Sequence, residues 1–537
     1  MRILGINAVF HDPAAALVVD GHIVAAAEEE RFSRRKHGKE AVAFSTWELP
    51  VQAARWCLEQ AGLSPSDLDA VGYSYDPRLM QGQGTDLAGL DRDWEYLRTL
   101  YAERAPRFLQ SALPGLDPDV VRYVRHHVAH AASSALASPH PDCAVLVVDG
   151  RGERTSMLMG DYTDNKLDIL ATQDLPHSLG LLYEDLTQHL GFKRSSDEYK
   201  VMAMASYGRP RFVDEFRELV RATGDGGFRT EPVDWDRYGT EWDDRVDLAC
   251  SVQCVVEEVL LDLVQWLRAR TDHENLCLAG GVALNCVANS KLHNSGGFRS
   301  VWVQPAAGDS GTALGAALSL AAEAGEPITP MPTAALGRGF SDDEIEAVLT
   351  EAAVPFERPR DFAAAVGDAL AEDRIVGWFQ GRSEFGPRAL GRRSLLADPR
   401  RAENLDRLNA VKGREQFRPV APMVLAECAA EIFSGGPLPS PYMLFVHDVA
   451  PQWRAQIPAV THVDNTARIQ TVDNDDALLH ATISRFAERT GVPVIVNTSF
   501  NTAGRPMVDT PRDALECFGS APIDVLAIGP FLVRRPR

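Results

Sequence analysis

Nowhere does this sequence run apolar for the roughly 18 to 20 residues that a membrane span requires, although apolar side chains make up 45% of its 537 residues. The dinucleotide fingerprint GxGxxG and the phosphate loop GxxxxGK(S/T) are both absent, so any nucleotide must be held by another kind of loop. HExxH is missing too, which argues against a zinc protease. The eight cysteines are scattered, and Cys250 and Cys254 form a CxxxC pair with no second half. A chain this large needs no disulfide staples, so reduced, packed thiols are expected. Positive charge is scarce: 54 Lys and Arg face 75 Asp and Glu, a net charge of -21. That balance speaks against a broad nucleic-acid-binding face and leaves room for a local basic site. The opening MRILGINAVFHDP is broken by Asn7, His11 and Asp12 too early for a signal peptide, so the expectation is a cytoplasmic chain with no membrane partner.

What is present reads as α/β, and at this length two large domains are the prior. RILGIN, AAALVVDG and HIVAAAEEE are three short apolar stretches, with Asp20-Gly21 a hairpin signal between the second and third. The pattern returns at residues 143–172 as CAVLVVDG, RTSMLMGDY and KLDILATQ, and each triplet leads into helical segments. A duplicated meander of this kind resembles the two halves of the actin-like ATPase superfamily, in which a nucleotide sits between related subdomains. Two glycine-bearing turns follow, LCLAGGVALNCVANSKL (276–292) and VWVQPAAGDSGTALGAALSLA (301–321). In each, a strand enters a loop ahead of a helix, a geometry that lets backbone N–H groups approach a phosphate. With Asp309 held in GDSG, the pair favours a nucleotide or metal site, and Gly280, Gly281, Asn285, Gly308, Ser310 and Gly311 are its nucleotide candidates. Three prolines (327, 330, 332) and a capping box from Ser341 to Glu344 mark a boundary near residue 335, giving domains 1–335 and 336–537.

In the second domain, ten Lys or Arg stand against five acids between Arg382 and Arg418. Arg400, Arg401 and Arg407 read as a solvated helix face. Arg388, Arg392 and Arg393 sit in a Gly/Pro-shaped loop, and Lys412 and Arg418 flank another glycine. Guanidinium groups presented from turns match phosphate and carboxylate geometry, so a small-anion site is favoured. DNTARIQTV puts Arg468 on an expected strand, and VPVIVNTSFNTAGRPMV runs a buried-looking strand into Asn497, Ser499 and Asn501, which offer hydrogen bonds without charge. Back in the first domain, RHHVAHAASS packs three histidines into five residues. His126 and His130, four apart, share one face of a helix as a two-pronged imidazole clip, while His127 points elsewhere and is expected to pack or hydrogen-bond.

Seven stretches then occur in order along the whole chain: FHDPAAALVVDGHIVAAAEEERFSRRKHG, HHVAH with VVDGRGE, AGGVALN, GDSGTALGAA, FGPRALGRRSLLADPR, KGREQFRPVAP and NTSFN. Together they resemble the O-carbamoyltransferases of antibiotic and nodulation-factor biosynthesis, the NodU/CmcH type. The resemblance implies an N-terminal actin-like domain similar to the tRNA threonylcarbamoyl transferase and a C-terminal twisted α/β domain similar to the YrdC-type adenylate synthase. It implies two reactions as well. The second domain would make carbamoyl adenylate from carbamoyl phosphate and ATP with Mg2+, and the first would pass the carbamoyl group to a small-molecule hydroxyl. Carried onto this chain, it implies one metal, usually iron, on His126, His130, Asp149 and Asp309, with His11 as general base on the acceptor hydroxyl. It also implies Arg388, Lys412, Arg418 and Arg468 on carbamoyl phosphate, with Asn497 and Ser499 nearby. Lys36 in SRRKHG is a further catalytic candidate, to steady the adenylate, or else a solvated basic tip. Lys200 in DEYKVMAMASYG stands beside a segment expected near the nucleotide.

The chemistry asks for these residue types. Carbamoyl phosphate is a compact dianion that needs a cationic cluster, and an adenylate turns a poor transfer into one with a good leaving group. Two imidazoles and two carboxylates suit a borderline or hard divalent ion, with Fe, Mn and Zn left open. An imidazole titrates near neutrality, as a base must; without the family, an ordinary polar turn residue is the first expectation at His11. Residues 75–125 form a polar and aromatic insert that could shape the acceptor cleft. Its acids Asp86, Asp91, Asp93 and Glu95 suit a polyamine sugar, so an aminoglycoside or other sugar hydroxyl is the first expectation and a macrolactam or cephem hydroxyl the next. Two rivals stand beside this reading. A tRNA-modifying enzyme shares the domain types but meets the acidic balance; a non-catalytic nucleotide-binding regulator would not need the base, the metal ligands and the arginine cluster together. The oligomeric state, a homodimer included, is left open.

Overall fold

The computed structural model describes residues 1–38, 48–80 and 92–535. The chain divides into two compact units, Met1–Thr333 and Ala334–Arg537.

The first unit is built twice over. β1 (Arg2–Asn7), β2 (Ala14–Val19), β3 (His22–Glu28), β4 (Ala70–Tyr73) and β5 (Val121–Tyr123) form a sheet in the order β3-β2-β1-β4-β5. β6 (Cys143–Val148), β7 (Thr155–Thr163) and β8 (Lys166–Asp174) are followed by a small ribbon of β9 (Val220–Ala222) and β10 (Phe228–Thr230). They then join β11 (Asn275–Ala279) and β12 (Ser300–Val303) in the order β8-β7-β6-β11-β12. In both sheets the first three strands are an antiparallel meander and the last two add in parallel. The fold is thus α/β with the duplicated architecture that the repeated apolar triplets implied. Both meanders close alike: Asp20 and Gly21 have φ of 49° and 75°, and Asp164 and Asn165 have 51° and 60°. Positive φ at both central residues is what a type I′ hairpin requires.

The helix Ser310–Glu323 ties the halves together, lying almost wholly buried against β1 and against the helix His126–Ala135. Only glycine permits this approach. A Cβ on Gly315 would stand 1.7 Å from the carbonyl oxygen of Ala129, and one on Gly5 would stand 1.8 Å from that of Ala313. The close packing carries residue 309, at the N-terminus of the later helix, up to residues 126 and 130 of the earlier one.

The second unit is a mixed seven-stranded sheet made of β13 (Val376–Phe379), β14 (Arg393–Ala397), β15 (Ala421–Leu425), β19 (Gln470–Val472), β20 (Val494–Ser499), β21 (Val525–Ile528) and β22 (Phe531–Arg534). Its order is β19-β15-β20-β14-β13-β21-β22. A small sheet of β16 (Phe433–Ser434), β17 (His447–Val449) and β18 (Thr466–Ala467) stands apart from it. The helices Phe362–Ala371 and Ala477–Thr490 pack on one another and on the large sheet, around a core that includes Trp378, Phe379, Phe486 and Phe500. Arg468 is not on a strand. It falls in the two-residue step between β18, paired with β17, and β19, paired with β15, where the chain crosses from one sheet to the other. Among the described residues no helix is long and apolar enough to cross a membrane, and all eight cysteines are free.

Candidate active site

The two meanders contribute equivalent turns to one place. The β1–β2 turn carries His11, and the β6–β7 turn opens with Asp149. His126 and His130 reach the same place from the helix His126–Ala135, and Asp309 reaches it from the N-cap position of the helix Ser310–Glu323. An aspartate at that position normally caps the helix by accepting a backbone N–H, yet the Asp309 side chain makes no capping bond. It turns instead to the histidines. Asp309 Oδ1 lies 3.6 Å from His126 Nε2 and 3.5 Å from His130 Nε2, and Asp149 Oδ2 lies 3.6 and 3.8 Å from the same two atoms.

These four side chains fit a single cation. Their donor atoms all lie within 4.8 Å of one another, and four donors about 2.1 Å from one ion in a tetrahedron would stand about 3.4 Å apart. His126, His130 and Asp309 are at most 1% exposed, and Nε2 of both histidines and both carboxylate oxygens of Asp309 have no hydrogen-bond partner among the described residues. Buried polar atoms left so are costly unless something completes them. The surrounding groups aim the ligands, as outer-shell partners of a metal site do. His126 Nδ1 donates to the Ser74 carbonyl at 3.1 Å, which turns Nε2 inward, and the N–H of Gly281 donates to Asp149 Oδ1 at 2.8 Å. Without an ion, burial opposes charge on His126, but Asp309 and Asp149 outweigh it and hold the imidazole well above its ordinary value. Asp149 is held well below the usual carboxylate range, its burial overcome by His126, His127 and His130.

His127 takes a different part. Its Nδ1 meets Thr155 Oγ1 at 2.6 Å, its ring lies where a Cβ on Gly152 would go, and burial pushes its imidazole down to about 4.

His11 stands at the rim, with Nε2 3.9 Å from Asp309 Oδ2. Its other nitrogen is fixed by Asp12, whose Oδ2 lies 2.8 Å from His11 Nδ1 and whose Oδ1 lies 2.9 Å from His37 Nδ1. His37 in turn reaches Ser196 Oγ at 2.7 Å. The turn is held from below by Asn7, fully buried, whose amide donates to the carbonyls of His11 and Asp12 at 2.9 Å each. Beside it, Lys36 lies 5.9 Å over the Tyr199 ring, and Lys200 pairs with Asp197 at 3.1 Å. Burial pushes the Asp197 carboxyl up, but the Lys193 N–H, then Lys200 and Lys36, hold it below its ordinary value.

The first glycine turn is not the simple strand-to-helix step expected. Gly280, at φ 91°, leads into a single 3-10 turn, and the helix begins only at Cys286. Asn285 caps that helix by accepting the N–H of Ala288 and exchanges hydrogen bonds with Gln253. Gly308, Ser310 and Gly311 surround Asp309, and a Cβ on Gly311 would meet the Ala306 carbonyl oxygen at 2.1 Å.

In the second unit the end of β20 organises the anion candidates. Asn497 donates to the Ala389 carbonyl at 2.9 Å and to Gln470 Oε1 at 3.1 Å, and Gln470 donates to the Leu390 carbonyl. The backbone that bears Arg388 and Arg468 is thereby drawn to Asn497. Lys412, the last residue of the helix Glu403–Lys412, donates to the Ser499 carbonyl at 2.5 Å, to Ser499 Oγ at 2.8 Å and to Asn501 Oδ1. Arg418 pairs with Glu415 at 3.5 Å, three residues ahead of Ala421, which opposes Asn497 across the sheet. Two arginines of the expected loop are otherwise employed. Arg393 is buried and donates to the carbonyls of Gln380, Gly381 and Arg338, and Arg392 pairs with Asp476 at 3.0 Å.

The acidic insert also reads differently in three dimensions. Asp86 and Asp91 fall outside the described residues, as does the side chain of Asp93. Glu95 faces no open cleft: it is 4% exposed and ion-paired to Arg98 and Arg151. Several supporting residues had no signal of their own in the sequence. Asp12 and Asn7 lay beside a recognised histidine, and Glu153, whose carboxylate accepts the N–H groups of Asp76 and His126, sat unremarked in VVDGRGE.

A duplicated α/β unit with an enclosed imidazole and carboxylate centre is thus joined in one chain to an α/β unit with a cationic strand end. The comparisons are specific about the family. The Carbamoyltransferase N-terminus model matches residues 2–112 and 90–318, and the Carbamoyltransferase C-terminus model matches residues 367–535. An uncharacterized protein of Synechocystis is 38% identical over 99% of this chain and 97% of that one. Nodulation protein NolNO of Sinorhizobium fredii is 38% identical over 98% of this chain and 80% of its own length. Among solved structures the chain is similar to HypF of T. kodakarensis, at 14% identity and a TM-score of 0.36, over 61% of this chain and 49% of that one. This chain belongs to the carbamoyltransferase family, and it is an enzyme of that class.

Proposed function

We propose that this carbamoyltransferase works in two steps, forming carbamoyl adenylate in the second unit and transferring the carbamoyl group to a sugar-type hydroxyl in the first. The observation that carries the transfer site is the convergence of His126, His130, Asp149 and Asp309, buried and incomplete, with His11 at their rim. These residues would hold one divalent ion, iron by preference, which when bound supplies a Lewis acid beside the leaving phosphate. His11 takes the proton of the acceptor hydroxyl as that oxygen attacks the carbamoyl carbon. Asp12 occupies His11 Nδ1 and so directs Nε2 toward the reacting atoms, the orienting role a carboxylate plays behind a catalytic imidazole. The carbonyl carbon then breaks its bond to the adenylate phosphate, and AMP leaves.

In the second unit Lys412, Arg388, Arg418 and Arg468 supply the charge that captures carbamoyl phosphate, and Asn497 and Ser499 supply neutral hydrogen bonds for its amide. ATP enters with Mg2+; water cleaves carbamoyl phosphate to carbamate and phosphate, and the carbamate oxygen attacks the α-phosphorus of ATP, forming carbamoyl adenylate and releasing pyrophosphate. Mixing the protein with carbamoyl phosphate and ATP, without acceptor, is expected to release pyrophosphate. The same release from His11→Ala, with transfer to an acceptor lost, would separate the two sites. No pyrophosphate from the wild-type protein would overturn the first step.

A further inference from the structure

Two guanidinium groups lie against the Phe10 ring. Arg98, from the helix Arg92–Ala112, and Arg151, from the turn that opens with Asp149, lie over its ring with their central carbons 5.0 and 5.2 Å from the ring centre. The same ring meets His126 edge-on at 5.0 Å, so one aromatic side chain separates the two arginines from the imidazole and carboxylate centre. A single carboxylate serves both cations: Glu95 lies 2.7 Å from Arg151 and also pairs with Arg98. Glu153, the next buried carboxylate, is committed to the backbone N–H groups of Asp76 and His126.

The arginine side chains are only 11% and 16% exposed, and Nε of each donates to no acceptor among the described residues. Two enclosed guanidinium groups on one carboxylate, with N–H donors unspent, make a cationic site that a second anion would complete. Their planar forks match a carboxylate or a phosphate.

We propose that Arg98 and Arg151 form a subsite for an anionic group of the acceptor, a carboxylate or phosphate ester, beside the transfer centre. The inference rests on the transfer reading above and narrows its acceptor. Glu95, the one of the four acids Asp86, Asp91, Asp93 and Glu95 whose side chain is described, faces the arginines, so the site selects an acidic sugar over a polyamine one. The other oxyanion at hand is the donor's phosphate. The glycine turns suited to it stand at Asp149 and Asp309, whereas Arg98 arrives on the insert that precedes the histidines.

The test compares wild type, Arg98→Gln and Arg98→Lys by calorimetry with methyl glucuronide, methyl glucoside and AMP, with thermal melting to confirm that each folds. Wild type is expected to bind the glucuronide at least tenfold more tightly than the glucoside, Arg98→Gln to abolish that preference, and Arg98→Lys to keep part of it, with AMP affinity constant throughout. A wild type indifferent to the carboxylate, failure to bind the glucuronide included, would overturn the proposal. So would a loss of AMP affinity in Arg98→Gln, which would assign the arginines to the donor. If Arg98→Gln does not fold, Arg98→Lys must lower the preference, and an unchanged preference overturns the proposal. Pyrophosphate release measured on the same proteins is a separate readout: its absence would remove the adenylate step and leave the binding comparison standing.

Discussion

Replacing Gly315 by alanine should damage the candidate metal site from a distance. The added Cβ would lie 1.7 Å from the Ala129 carbonyl oxygen and 2.8 Å from the Ser133 N, both backbone atoms of the histidine-bearing helix. Backbone cannot swing aside as a side chain can, so the two helices must part. Opening the contact to an ordinary carbon–oxygen distance of about 3.3 Å moves them about 1.6 Å. His130 Nε2 and Asp309 Oδ1 ride on opposite sides of that contact, 3.5 Å apart. A separation of about 5 Å would exceed the roughly 4.2 Å that two donors can span across one ion with bonds of about 2.1 Å. The cost of overpacking is about 1–3 kcal/mol, read by denaturant unfolding. Metal affinity, read by anaerobic Fe2+ titration and by Mn2+ paramagnetic resonance, should fall by roughly 100-fold, the upper range for a displaced supporting shell. Gly519→Ala, where a Cβ meets nothing within 4 Å, should leave affinity unchanged. A folded Gly315→Ala protein that binds Fe2+ as tightly as wild type would refute the claim that this helix contact sets the site.

The remaining predictions concern charge and position. In the metal-free protein the His126 imidazole is held well above its ordinary value by Asp309 and Asp149. The stability this gives is fully present below the ordinary histidine value and is lost as pH rises through the raised one. An ion must displace that proton, so its affinity should rise with pH by about tenfold per unit for one proton released; calorimetry in buffers of different ionisation enthalpy that detects no release would contradict it. Asp12→Asn keeps a residue that tolerates the φ of 49° at this position. It should lower the turnover of transfer by roughly 100-fold with acceptor KM nearly unchanged and pyrophosphate release intact; unimpaired turnover would remove Asp12 from the mechanism. Lys412→Ala removes the bonds to Ser499 and Asn501, which should destabilise the second unit by about 1–3 kcal/mol. Pyrophosphate release should drop by roughly 100-fold, and release at the wild-type rate would place carbamoyl phosphate elsewhere.

Much of the first unit was legible because its signals are local. Apolar triplets broken by Asp-Gly and Asp-Asn turns encode hairpins through short-range backbone preferences, and the spacing of His126 and His130 encodes a shared helix face. The turn beside Arg388 was less legible. Arginines at 392 and 393 differ little from Arg388 in sequence, yet one is paired on the surface and one is buried against carbonyls. Glu95 misled in the same way, since an acid's spacing on a helix does not reveal which cations come to meet it.

The sequence by itself determined the duplicated α/β plan, the imidazole clip and, through seven ordered motifs, the family. The family resemblance named Asp149 and Asp309 to close the clip, and tertiary structure decided how they reach it. Asp309 lies 179 residues after His130 in the chain, and the two meet because glycine at 315 lets one helix backbone press against another. Tertiary structure likewise decided that Asp12 stands behind His11, and that Glu95 belongs to two arginines. Those pairings depend on burial and on which side chains share a small enclosed volume, quantities fixed only after distant segments have packed.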